Sequence, residues 1–259
     1  MVIEIFFTVI LSLAIGLLMG IIGGGGGGIY VVALLVFLHQ DAKTAAVTAL
    51  VLSTITLSGA AWQYWKNGQI RKDYFIIFTV LDVAGTLIGN LVMHQINEIT
   101  LKIVTFGVLL ITSLGALIKV RTSTRDAMPT NAMKKLTTIT PIGLISGLIT
   151  GTTGLSGGTM LSSLLICVFE FSPYNAIATT TLIGFTGNLV SIVLLGISDA
   201  ICHTSALPID YETLLTFGIS SAIGAVFGAK LTARINRKVL TIVLSIMTVL
   251  PGIYLLLKK

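Results

Sequence analysis

The sequence predicts an all-α polytopic membrane protein made of two tandem, inverted repeats, each with one Gly-broken, re-entrant helix pair and three transmembrane helices. Three observations predict it. Of 259 residues, 54% are hydrophobic and only 10% charged, and the mean hydropathy is +1.00; soluble domains carry roughly a quarter charged residues. Apolar runs long enough to cross a bilayer recur along the chain, and motifs of the first half return in the second. The 16 Lys and Arg and 10 Asp and Glu are too few to coat a soluble catalytic domain. The formal net charge of +6 comes from short basic clusters between apolar runs, not from one basic face. Membrane topology accounts for such clusters, and no nucleic-acid partner is expected. Cys167 and Cys202 lack metal-ligand spacing and any disulfide pattern, so neither a metal nor a cofactor is expected.

A hydrocarbon core of about 30 Å takes about 20 helical residues. The runs at 44–65, 74–93, 99–118, 174–198, 211–231 and 239–257 meet that length. Four others form two pairs. The first, 2–22 and 29–38, is divided by IIGGGGGGIY at 21–30; the second, 136–149 and 159–171, by GLITGTTGLSGGTM at 147–160. The downstream member of each pair is too short to cross alone, which predicts broken or re-entrant helices. The first run contains Glu4 and no basic leader or cleavage site, so it reads as a membrane element rather than a signal peptide.

The repeat is legible in three places. GLLMG at 16–20 returns as GLISG at 143–147, and the paired glycines 26 and 27 return as 157 and 158. GTLIGNLVMHQIN from Gly85 matches GAVFGAKLTARIN from Gly224 at an offset of 139, which makes Ser221 the counterpart of Asp82. The first repeat therefore spans 1–120 and the second 136–259, with 121–135 as a basic cytoplasmic linker. If each broken pair returns to its own side, 12 of the 16 basic residues lie inside: Lys66, Arg71, Lys72, the five around the linker, and Lys230, Arg234, Arg237 and Lys238. If each broken pair crosses once, only 10 do. The first scheme follows the positive-inside rule better and leaves the acidic segment 199–212 outside.

Six glycines from Gly23 to Gly28 inside a membrane segment carry the functional reading. Each Gly costs about 1 kcal/mol relative to Ala in a helix, so the stretch should unwind. Bare N–H groups in lipid would be costly, so something polar must meet them. An unwound Gly segment feeding a helix N-terminus offers free N–H groups, the positive end of the dipole and close approach, which suits an anion. The expected substrate-binding residues are Gly25, Gly26, Gly27 and Gly28, with Thr153, Gly154, Ser156, Gly157 and Gly158 in the second copy. Asn90 and Asn188 are long enough to reach a cavity. Close helix packing explains instead the four-residue spacings Gly16/Gly20, Gly143/Gly147, Gly85/Gly89 and Gly224/Gly228. No strand or Lys-Ser/Thr accompanies the glycines, which argues against nucleotide binding.

Asp82 is the one acidic residue deep inside a confident span. A carboxylate there is a functional candidate, with proton coupling and a non-titrating polar contact as alternative roles. The hydroxyls of 48–58 and 179–186 suit either a weakly held oxyanion or interhelical hydrogen bonds, the latter worth about 0.6 kcal/mol each. His39, His94 and His203 read as interfacial. Trp62, Tyr64 and Trp65 read as an aromatic belt beside Lys66.

Gly16, Gly20, Gly23 and Gly25 to Gly28, with Gly143, Gly147, Gly151, Gly154, Gly157 and Gly158, resemble the sulfite exporter TauE/SafE family of membrane permeases. The resemblance spans essentially the whole chain. The family usually has a Pro a few residues after each Gly cluster, where this chain has Ala33 and Ser162 or Ser163. The resemblance implies a multi-pass protein of the prokaryotic cytoplasmic membrane that transports small sulfur-containing anions such as sulfite, thiosulfate or short organosulfonates. The expected function is secondary transport by alternating access, with an inorganic or organosulfur anion as ligand, protons as candidate coupling ion, and the bilayer as surroundings. A homo-oligomer stays open. The competing readings are a passive anion channel, a membrane subunit of a partner complex and an intramembrane enzyme; the last lacks a second deep carboxylate.

Overall fold

The computed structural model describes residues 2–23, 30, 33–34, 42–93, 110, 114, 132–153, 158–169, 171–202, 211–232, 234–236, 238–240, 242–243 and 246. Its elements are α-helices: α1 Val2–Ile22, α2 Ala42–Lys66, α3 Lys72–Met93, α4 Ala132–Thr153, α5 Gly158–Phe169, α6 Pro173–Cys202 and α7 Tyr211–Thr232. No strand occurs among the described residues. The runs at 99–118 and 239–257 fall almost wholly outside them. Pro173–Leu194 and Leu214–Thr232 are long and apolar enough to cross a membrane. α2 and α3, with 25 and 22 residues, extend about 33–38 Å at 1.5 Å per residue.

Glycines set the packing, because backbones approach closely only where no Cβ intervenes. α1 lies on α7: a Cβ on Gly16 would collide with the Ser221 carbonyl, and one on Gly20 with the Ala225 carbonyl. From α7, Gly224 sits on the Leu13 carbonyl and Gly228 on that of Leu17. α4 lies on α3 in the same manner. Gly147 meets the Asp82 carbonyl, Gly85 meets that of Leu144, and a Cβ on Gly143 would stand 2.7 Å from Leu81 Cβ. The pairs Gly16/Gly20, Gly143/Gly147 and Gly224/Gly228, and Gly85 of the fourth, thus serve packing, as their spacing predicts.

Two sets of close approaches in the two contacts correspond. Gly20 faces Ala225 as Gly147 faces Asp82, and Leu17 and Ile21 flank Gly228 as Leu144 and Leu148 flank Gly85; Gly143 departs from the pattern, lying on the Leu81 side chain where Gly16 lies on the Ser221 backbone. The offset is 127 residues between α1 and α4, as read from GLLMG and GLISG, but 143 between α3 and α7. That is one helical turn more than the 139 of the sequence match. Small residues recur every four positions in both helices, so a slide of one turn keeps the pattern and the sequence match settles on the wrong turn. Asp82 accordingly holds the place of Ala225 in this contact rather than that of Ser221.

Helix directions follow from paired contacts. α1 advances with α7, and α4 with α3. α2 runs with α7, since Thr56 Oγ1 and Ser221 Oγ are 2.8 Å apart while Tyr64 OH and Thr232 Oγ1 are 3.0 Å apart. The turn between α2 and α3, with Gly68 at φ 68°, reverses the chain. α6 runs with α3, because the Arg71 N–H donates to Thr179 Oγ1 at 3.1 Å while Asp82 lies against Gly187. Hence α1, α2 and α7 point one way, and α3, α4 and α6 the other. α5 joins α6 through residues 170–172 and runs back against it. Phe169 meets Tyr74 and Phe78, with ring centroids at 6.2 and 6.0 Å, and Ile139 of α4 belongs to the same cluster. The early part of α4 and the end of α5 therefore lie at the same end of the bundle.

Polarity is inside out. Leu215, Ile219, Ile223, Phe227 and Leu231 form an exposed stripe at four-residue intervals on α7, and Ile76, Ile77, Val80, Leu87 and Ile88 are exposed on α3. Asp82, Thr86, Ser146, Asn188 and Ser221 are buried. Such an arrangement suits an apolar solvent outside and polar groups satisfied within. Trp62 and Trp65 are exposed, and Lys72 Nζ sits 5.0 Å from the Trp65 ring centre. Tyr64 departs from the expected belt. The helical period turns it to the opposite face, where it is fully buried and its hydroxyl donates to the Gly20 carbonyl at 2.5 Å.

Candidate functional site

The first Gly run begins as a helix end. Gly23 takes φ 76°, its N–H donates to the Met19 carbonyl at 2.8 Å, and α1 stops there. The site is tight: a Cβ on Gly23 would stand 2.5 Å from Ile177 Cγ2 and 2.7 Å from Thr181 Oγ1 of α6. Residues 24–29 lie outside the described residues, so the expected contacts of Gly25, Gly26, Gly27 and Gly28 do too. Tyr30, on the far side of the run, is buried between α2 and α7. Its hydroxyl is 2.6 Å from Thr56 Oγ1 and its ring packs edge-on to Phe217 with centroids 5.8 Å apart.

The second Gly run divides α4 from α5. Thr153 closes α4 and Gly158 opens α5; Gly154, Ser156 and Gly157 lie between them, outside the described residues, as does the side chain of Thr153. Gly158 is buried. One turn on, Ser162 donates to the Gly158 carbonyl at 2.7 Å and pairs with Thr180 Oγ1 at 2.5 Å. That pairing places Gly158 about one turn beyond Thr180, about 16 Å along α6 from its start. A helix thus starts inside the protein, where its first N–H groups lack intrahelical acceptors.

Asp82 lies where α3, α4 and α6 meet. It is 3% exposed, and the Ser146 hydroxyl donates to its carboxylate. Oδ2 presses on α6 at Gly187, where a Cβ would stand 2.7 Å away. Among the described residues the carboxylate meets a hydroxyl and a bare Cα rather than a cation.

Most of the Ser and Thr hydroxyls bond back to their own helix. Ser53 and Thr54 donate to the Leu50 carbonyl, Thr180 to Ala176, Thr181 to Ile177 and Thr186 to Ile183, at 2.7–2.9 Å. This is the structural alternative for those groups. Asn188 is the exception with reach. It is fully buried, its Nδ2 donates to Ser53 Oγ at 3.0 Å, and its Oδ1 has no hydrogen-bond partner among the described residues. Asn90 belongs to α3, but its side chain is outside the description. Sequence reasoning missed Ser146 and Gly187; both sit beside residues it did single out, Gly147 and Asn188.

The family model for the sulfite exporter TauE/SafE matches residues 8–255, nearly the whole chain. The chain belongs to the sulfite exporter TauE/SafE family. Three relatives from Bacillus subtilis (strain 168) agree in extent. The probable membrane transporter protein YdhB is 22% identical, over 96% of this chain and 98% of its own length. The probable membrane transporter protein YunE is 27% identical over 90% of each, and the probable membrane transporter protein YjnA 23% identical over 96% and 98%. The TauE/SafE match runs through both glycine breaks and both packing contacts, so the helix start at Gly158 and the carboxylate at Asp82 lie within the family region.

Proposed function

We propose that this chain is a multi-pass secondary transporter of the prokaryotic cytoplasmic membrane that carries a small sulfur-containing oxyanion, such as sulfite, thiosulfate or a short organosulfonate. The single observation behind it is the buried start of α5 at Gly158, a helix N-terminus inside a chain of the sulfite exporter family. Free N–H groups and the positive dipole end favour an anion, and the Gly-rich approach admits one closely. Gly25 to Gly28 supply the equivalent from the first half; Thr153, Ser156, Asn90 and Asn188 complete the surroundings.

The two halves are an inverted pair. This reading is supported by the matched contacts of α1 on α7 and of α4 on α3, and by the opposite directions of α1 and α4. Access alternates as the halves rock about the fixed site. Export of an anion is already downhill in the membrane potential, by roughly 2.3 kcal/mol per charge per 100 mV. Asp82 adds proton coupling.

Flux measured in proteoliposomes tests the proposal. Saturable, potential-sensitive sulfite or thiosulfate flux is expected, with its pH dependence lost in Asp82→Asn. Non-saturating, uncoupled flux overturns the transporter reading in favour of a channel. Unchanged pH dependence in Asp82→Asn removes proton coupling.

A further inference from the structure

We propose that Thr86 and Ser191 line a hydrated seam between α3 and α6 that leads from the outer end of these helices to the Asp82 carboxylate, with Thr79 at its closed end. The proposal rests on the reading of Asp82 as the coupling group and adds its route of access and the side that the route opens to.

Thr79, Asp82 and Thr86 follow one another at three- and four-residue spacing, so they share a face of α3. Asp82 is fixed against α6 by Gly187. α3 and α6 are parallel, so one turn further along each lie Thr86 and Ser191. Both are buried, at 0% and 5% exposure, and the hydroxyls of Thr86, Ser191 and Thr79 have no hydrogen-bond partner among the described residues. This sets them apart from the hydroxyls of Thr180, Thr181 and Thr186 on α6, which bond back to their own helix. Buried polar groups are ordinarily satisfied by protein or by ordered water. A row of unpaired hydroxyls running up to a carboxylate is a lining that water fits, and hydroxyls that both donate and accept can relay a proton.

The row is closed at the other end. Beyond Thr79 stand Phe78 and Tyr74 with Phe169 and Phe171, packed edge to face with centroids 4.9–6.2 Å apart and flanked by Leu161, Leu165 and Ile183. The Arg71 guanidinium covers Tyr74 and Phe171 at 5.8 and 5.9 Å. This plug is apolar and carries the basic residues Arg71 and Lys72 beside it, which the positive-inside rule places inside, so the seam opens outward. On the helices around Asp82, and among the described residues, the other charged or titratable positions lie toward the ends: Lys72, Asp73 and Tyr74 in the first turn of α3, Lys134 and Lys135 in the first turn of α4, and Tyr174 and Asp199 near the two ends of α6. In the seam, Asp82 is the group that takes and releases the proton.

Thiol accessibility tests this in the full chain with Cys167 and Cys202 replaced by Ser. Thr86→Cys and Ser191→Cys are treated with a membrane-impermeant cationic methanethiosulfonate in spheroplasts and in inside-out vesicles, with Phe78→Cys as the dry reference. Both seam positions are expected to react from outside at least about tenfold faster than the reference, a ratio equal to about 1.4 kcal/mol. Ser191→Cys exchanges a single atom and keeps the test informative should Thr86→Cys fold poorly. No reaction from outside, or equal or faster reaction from inside, overturns the seam. Labelling of Ser191→Cys in an Asp82→Asn background is expected to persist. The wetness of the seam is thereby tested apart from proton coupling, which the pH dependence of flux reads by itself.

Discussion

Asp82 of α3 and Gly187 of α6 are fitted to one another: the carboxylate oxygen Oδ2 occupies the space that a side chain at 187 would need, 2.7 Å from its Cβ position. A buried carboxylate is thus held between a hydroxyl donor on α4 and a missing side chain on α6. Gly187→Ala is expected to push the carboxylate off Ser146 and to change the pH dependence of transport while the protein still inserts. Adding Asp82→Asn should make the two effects less than additive, because they act on one contact. Additive effects on flux would separate the two residues.

The glycine contacts predict unequal costs for the same substitution. Gly20→Ala drives a Cβ into the Ala225 carbonyl, and backbone cannot move aside cheaply, so a loss of about 1–3 kcal/mol is expected. Gly196, in α6, has nothing within 4 Å of its Cβ position. Gly196→Ala should be neutral or gain up to about 1 kcal/mol from helix propensity. Thermal unfolding of both variants in detergent, side by side, checks the difference. Equal stability would mean that α1 does not pack on α7 through Gly20.

Topology gives a third prediction. A cysteine at position 205, between α6 and α7, should react with an impermeant reagent from outside, and one at 235, just after α7, from inside. Tyr174 OH donates to the Ile235 carbonyl at 2.5 Å, which puts the start of α6 at the same end as the close of α7. The reverse labelling would turn the assignment over, and labelling of both from one side would break the helix directions derived from packing.

Composition, run length and glycine spacing were enough to read the helical class, the packing role of the four-residue glycine pairs and the family. They also made a returning hairpin the preferred reading over a crossing one. What the sequence did not reveal were relations across helices. The GTLIGN and GAVFGA match cannot tell one turn from the next, so Asp82 was paired with Ser221 where packing aligns it with Ala225. Tyr64 looks like its neighbours Trp62 and Trp65 in composition, yet the 3.6-residue period turns it inward onto Gly20. Ser146 and Gly187 carry no signal of their own; only the crossing of α3 with α4 and α6 makes them the surroundings of Asp82. Asn188 was singled out by its length as a ligand contact; the structure places its amide against Ser53.

Anion binding at the glycine breaks is tested most directly by ligand-dependent stability of the purified protein. Thermal unfolding is followed with sulfite, thiosulfate, sulfate, sulfoacetate, acetate and chloride, for the wild type, Gly26→Leu and Gly157→Leu. A sulfur oxyanion at a hundred times its dissociation constant should stabilise the wild type by about 2.7 kcal/mol and leave both Leu variants, folded, unshifted. Equal shifts in all three proteins, or no shift with any of the anions, would contradict binding at the two glycine breaks.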